Sequence, residues 1–235
     1  MKKGELKKQE ILKTAETLFC KHGYETTSIQ DILDVLHTSK GSFYHHYASK
    51  ELLLEEICRR RAAMVAGNVI HNLNDDDNPC DNLNALFSGM MPLTKEKLAF
   101  LMMILPVFDL PEGRQIRFSY SESLSSAFRK SVVHEIIRGT ETGDFFSGKP
   151  EHTAEMCFII LNDLWYQICL MILKNEKAGM DTDPSDLLNM IDAYRNTIER
   201  ILNAPFGSII LLKLDDVKFL AEQIHYHWKL QNYGE

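Results

Sequence analysis

The sequence predicts an all-α protein in two parts, a three-helix head at the N-terminus and a larger helical body. Three observations carry that prediction. Apolar residues recur at spacings of three and four through most of the 235 residues, the period of a helix with one buried face. Alternating β-branched runs, the mark of strands, are nearly absent. Glycine and proline are sparse, 12 and 7 residues, and cluster at apparent joints.

In the first helix, Ile11, Leu12, Ala15, Leu18 and Phe19 share a face. Lys21 and His22 suit its C-terminus, and Gly23 is the residue that takes a left-handed cap without penalty. Next comes TTSIQDILDVL. Thr27 with Gln30 three positions on reads as a capping box, and Ile29, Ile32, Leu33 and Leu36 form the buried stripe of a short helix. His37-Thr38-Ser39 makes a tight turn. Ser39 or Thr38 caps a third short helix reaching about Tyr47. Ser49 caps a long fourth helix, with Glu51 in its first turn and Leu53, Ile57 and Met64 carrying it toward His71. The second and third helices form a helix-turn-helix, about 28–47.

The loop NLNDDDNPCDN at 72–82 separates the head, 1–65, from the body, 66–235. Body helices are expected near 79–91, 95–108, 112–138, 150–175, 185–203 and 215–230. The segment EMCFIILNDLWYQICLMI at 155–172 is apolar on almost every face, so it must be buried on more than one side. Leu187, Ile191, Tyr194, Ile198 and Ile201 repeat at 4-3-4-3, a narrow seam of coiled-coil type. Two such helices from each of two chains would make a dimeric four-helix bundle; the alternative is that both complete the chain's own core.

Net charge is −7 but unevenly spread: residues 1–61 hold 11 Lys+Arg against 9 Asp+Glu, and the rest 15 against 24. A mildly basic head on an acidic body is the asymmetry expected when only the head meets a polyanion. Five scattered cysteines with no C-x-x-C pair point to reduced thiols in the cytoplasm. No apolar leader is visible. The longest apolar run, AFLMMILPVF, is too short to span a bilayer, so no membrane association is expected.

HTSKGSFYHHYASKE at 37–51 is unlike core. On a helix, Phe43 and Tyr47 share the packed face, leaving Lys40, Ser42, Tyr44 and His45 outward or on the flank. The helix N-terminus offers unpaired N–H groups beside Lys40, a place for phosphate, and Gly41 lets a phosphate backbone approach without a Cβ in the way. Tyr44, Thr27 and Lys50 can reach phosphate oxygens, and Ser42 and His45 are candidates for base edges. The surface is read as facing duplex DNA.

Residues Ile11 to Leu53 resemble the N-terminal DNA-binding domain of the TetR family of bacterial transcriptional regulators. AETLFCKHGYETT at 15–27, SKGSFYHHY at 39–47 and SKELL at 49–53 carry the likeness together. The resemblance implies a homodimeric, sequence-specific binder of a palindromic operator whose second domain binds a small ligand. It also implies DNA contacts at Thr27, Thr38, Ser39, Lys40, Ser42, Tyr44, His45 and Lys50. Two features depart from the family pattern. His37 stands where a turn glycine is common, and the recognition helix carries few cations. The tail MKKGELKK reads first as a solvated, disordered end, with a minor-groove arm that supplies further cations as the alternative.

Other motifs fail on chemistry. His45 and His46 point in different directions, with no third ligand at metal spacing. His134-Glu135 begins H-E-x-x-H, but Arg138 stands at the second histidine. No P-loop, G-x-G-x-x-G or G-x-S-x-G is present, so neither catalysis nor a cofactor or metal is expected. Eight of the ten methionines lie between 90 and 190, which suits an adaptable, partly apolar pocket as well as plain core. Its candidate lining is Met102, Met103, Arg117, Tyr120, His134, Asn162, Trp165 and Tyr166. The runner-up function is a helical protein-interaction module whose head does not read DNA. The segment from Phe206 onward is expected to add a further helix.

Overall fold

A computed structural model describes residues 3–91, 98, 101–102, 105 and 111–233. Among these the regular structure is helical, in the order α1 Lys3–His22, α2 Ile29–Val35, α3 Lys40–His46, α4 Lys50–Ile70, α5 Pro79–Met90, α6 Pro111–Thr142, α7 Pro150–Ala178, α8 Pro184–Leu202 and α9 Leu214–Tyr233. The helix expected at 95–108, and Met103 with it, falls largely or wholly outside the described residues.

The helix ends follow local chemistry. Pro79, Pro150 and Pro184 each open a helix, where a missing N–H costs nothing. Asn78 and Asp183 cap the helices they precede by accepting backbone N–H groups at 2.7 and 2.8 Å. Gly179 closes α7 in the left-handed conformation, φ 66°.

The chain divides into two compact units, Met1–Met64 with Thr94–Ser123, and Val65–Leu93 with Leu124–Glu235. This division differs from the expected 1–65 and 66–235 in grouping the start of α6, up to Ser123, with the N-terminal helices. In the first unit α1 packs on α2 and α2 on α3. Ile11, Phe19, Ile32, Leu33, Phe43, Leu53 and Ile57 form its core. Tyr24 closes one side, its ring edge-on to Phe19 at 5.1 Å. Arg61 pairs with Glu16 and reaches the Cys20 Sγ at 3.8 Å, linking α4 to α1.

In the second unit α7, α8 and α9 pack against one another. α7 is apolar and long enough to cross a membrane by composition alone, yet ten of its residues are buried in this core. The seam Leu187, Ile191 and Ile198 is 1, 3 and 0 % exposed within the single chain. The dimer expectation for these three is thereby corrected: they complete the chain's own core, and only Tyr194 and Ile201 of the seam stay half-exposed. Residues 204–213 form an irregular strap with a turn at 206–207, and the further helix expected near 215–230 follows as α9. Two side chains hold it as a sheet neighbour would. The buried Glu199 carboxylate accepts the Gly207 and Ile209 N–H groups at 2.8 and 3.2 Å. Asn84 accepts the Ile210 N–H and donates to the Ser208 carbonyl, both at 2.9 Å.

Candidate nucleic-acid interface

The helix-turn-helix begins one residue later than the spacing suggests. Ser28, not Thr27, caps α2: its hydroxyl accepts the Asp31 N–H at 3.2 Å, while the Asp31 carboxylate accepts both the Ser28 N–H and O–H at 2.7 Å. Those two donations hold the Asp31 carboxyl below the usual aspartate range. Gln30 instead donates to Asp34 at 2.7 Å. The expected Thr27–Gln30 box is thus replaced by Ser28–Asp31, the same chemistry shifted by one.

α2 ends in a Schellman motif. The His37 N–H donates to the Asp34 carbonyl at 3.3 Å and the Thr38 N–H to the Leu33 carbonyl at 3.1 Å. This geometry requires a left-handed residue at His37, which has φ 47°. The turn anticipated from sequence forms, and histidine carries the strain a glycine would avoid.

Ser39 caps α3, its hydroxyl accepting the Ser42 N–H at 3.3 Å. Phe43 and Tyr47 are buried, while Lys40, Gly41, Tyr44 and His45 are exposed and Thr38 and Ser42 half-buried. Tyr44 is 53 % exposed, braced edge-on against Phe43 at 5.4 Å, so its hydroxyl is presented outward from a fixed ring. A Cβ at Gly41 would meet nothing closer than the Ser39 hydroxyl at 3.8 Å, so the approach to this first turn is open. The Lys40 and Gly41 N–H groups occupy the positions where a helix has no internal acceptor.

Thr27 and Lys50 do not share this surface. Thr27 is 2 % exposed and its hydroxyl donates to the Gly23 carbonyl at 2.8 Å. Lys50 Nζ donates to the Tyr24 and Thr27 carbonyls at 3.0 and 3.3 Å and lies 4.1 Å from the centroid of the Tyr24 ring. Both were expected at phosphates. Both are instead turned inward, because the chain's reversal between α1 and α2 leaves buried carbonyls that need donors. Sequence reading missed this clamp, since a lysine at a helix start gives no sign of which oxygen it will find. The N-terminal tail is not the disordered end expected of it: from Lys3 onward it is the first turns of α1, and Lys8 lies over the Tyr47 ring at 5.8 Å.

The expected ligand-pocket residues fall in both units. Met102, Arg117 and Tyr120 belong to the first unit, and His134, Asn162, Trp165 and Tyr166 to the second. Burial pushes the Tyr120 hydroxyl up to about 12. Asn162 donates to the buried Ser125 hydroxyl at 3.3 Å. His134 is exposed and lies 3.6 Å from Asp75, nine residues or roughly 13 Å along α6 from Ser125. Asp75, His134 and Glu135 bring ligand-type atoms within 4.8 Å, but the Arg138 guanidinium already donates to Glu135 at 2.6 Å and places a cation there.

The sequence pattern described as "Bacterial regulatory proteins, tetR family" matches residues 11–57. The chain is 42 % identical over 168 residues to the HTH-type transcriptional repressor KstR2 of Rhodococcus jostii, spanning 68 % of this chain and 80 % of that one. It is 26 % identical over 168 residues to KstR2 of Mycobacterium tuberculosis strain H37Rv, with 67 % and 80 % covered. Its fold is similar to that of RolR solved with resorcinol, at a TM-score of 0.57 and 13 % identity over 93 % of this chain and 94 % of that one.

Proposed function

This chain belongs to the TetR family of bacterial regulatory proteins and is a DNA-binding transcriptional regulator; we propose that it acts as a ligand-responsive homodimeric repressor reading a palindromic operator through α3. The observation that carries the reading is the sorting of α3. Phe43 and Tyr47 anchor one face while Lys40, Tyr44 and His45 stand clear on the other. Lys40, the Tyr44 and Ser39 hydroxyls and the first-turn amides would take phosphates, with Thr38 beside them. Ser42 and His45 would meet base edges.

Dimerisation is assigned to the outer faces of α7 and α8. Met156, Ile159, Asp163, Tyr166 and Leu170 follow one another at 3-4-3-4 on α7, and Ile159 is 67 % exposed. Tyr194 of α8 donates to Asp163 on this face, and Ile201 lies two turns further along. A two-fold dimer would present two copies of α3 to half-sites about 34–36 Å apart. A small, partly apolar ligand that prefers the state with mismatched spacing would release DNA. The repressor relatives and the resorcinol-bound fold neighbour support this reading, as five free thiols support a cytoplasmic setting.

The test is selection of binding sites from random duplex DNA, with a Lys40→Ala/Tyr44→Ala variant alongside. A two-fold symmetric site enriched by the wild type and lost in the variant is expected. Absence of enrichment at low salt would sink the operator reading.

A further inference from the structure

The first unit holds a cavity of about 240 Å³ between the α1–α2 turn, the first turns of α4 and the start of α6. Tyr24, Leu54 and Ile116 line it with buried, mostly apolar surface. Glu25, Glu51 and Glu55 line it with carboxylates. The volume is that of about eight water molecules, room for a small organic molecule and too little for a drug-sized one.

The charge of this wall is lopsided. Three glutamates and one lysine line it, and the Lys50 ammonium is already engaged with the Tyr24 and Thr27 carbonyls. Glu51 is tied to Ser49 and Tyr24, and hydrogen bonding holds its carboxyl below the usual glutamate range. Glu25 and Glu55 are exposed, and among the described residues neither has an ion-pair partner. Independently of the carboxylates, the Lys50 ammonium rests 4.1 Å from the Tyr24 ring centroid, under two carbonyls. Aromatic face and converging oxygens are what recognise an alkylammonium group, and here they already hold one. An anion would meet the glutamates, and a wholly apolar guest would leave them unmatched.

We propose that this cavity is a binding site for a small organic cation, an alkylamine or short diamine. Its ammonium groups take the Glu25 and Glu55 carboxylates, and its stem lies on Leu54 and Ile116. The site is separate from the residues considered above for an effector. It lies wholly within the unit that carries α3, beside the clamp joining the α1–α2 turn to α4.

The test is calorimetric titration of the full chain with 1,4-diaminobutane at fixed ionic strength, with butyrate as an anion of similar size. One saturable site per chain is expected for the diamine and none for butyrate. Affinity should fall at least tenfold in Glu25→Gln/Glu55→Gln, whose surface positions leave folding intact. It should vanish in Ser119→Leu, which fills the cavity. Failure of the diamine to saturate the wild type overturns the proposal. So does equal affinity in the glutamine variant, which would reveal diffuse attraction to an acidic chain, or native affinity in a Ser119→Leu chain with native melting. None of these readouts involves DNA, so their failure is distinct from failure of the operator reading.

Discussion

Replacing Lys50 by methionine separates a structural lysine from a DNA-contacting one. Methionine keeps the aliphatic stem but removes the two hydrogen bonds to the Tyr24 and Thr27 carbonyls and the cation–π contact. A hydrogen bond to a charged group is worth about 1.5–3 kcal/mol and an exposed cation–π contact about 0.5–1 kcal/mol. Partial resolvation of the carbonyls offsets part of that sum, leaving a loss of about 2–3 kcal/mol. For a chain of this size the melting temperature should drop by about 5–10 °C. The salt dependence of operator binding should not change, because no phosphate contact is lost. Lys40→Met should do the opposite. Exposed Lys40 contributes little to folding, but losing the phosphate contact proposed for it should lower the slope of log K against log salt by about 0.9 per head, about 1.8 for the proposed dimer. Thermal melts and binding isotherms at several salt concentrations decide the matter. A slope reduced by about 1.8 for Lys50→Met, with wild-type melting, would refute the clamp.

His37→Gly removes a side chain from the left-handed position at φ 47° and should stabilise the chain by about 0.5–1 kcal/mol after the added freedom of the unfolded glycine is counted, read as a small rise in melting temperature. Ile159→Glu, at a position 67 % exposed, should leave the subunit folded and convert dimer to monomer in sedimentation velocity; Leu187→Ala, at 1 % exposure, should instead cost about 2–4 kcal/mol of subunit stability. The Asp31 carboxyl titrates lower folded than unfolded, so its cap contribution is complete above the ordinary aspartate value and fades as pH falls through the depressed one. Amide exchange at the start of α2 should therefore accelerate in acid, and Asp31→Asn should remove that pH dependence.

Much of the head was legible because its signals are local. Gly23, His37 and Ser39 act on their neighbours within four residues, and the split of Phe43 and Tyr47 from Tyr44 and His45 follows from helical spacing alone. The one-residue error at Thr27 arose because Thr27 and Ser28 carry the same hydroxyl. The choice fell to burial, which turned Thr27 toward the Gly23 carbonyl.

What sequence alone determined about this protein was its all-helical class, its helix-turn-helix and the exposed face of α3, all set by spacing along one chain. Tertiary structure decided which partner each long side chain found. The seam of α8 reads the same whether it meets α7 of its own chain or another, and only packing turned Leu187, Ile191 and Ile198 inward and left Ile159 outside. Lys50 and Glu199 show the same limit with charge. Each meets backbone groups that arrive from a chain reversal or a strap, Thr27 for one and Gly207 and Ile209 for the other, and a charged group has no preferred oxygen or amide until the fold brings one within 3 Å or so.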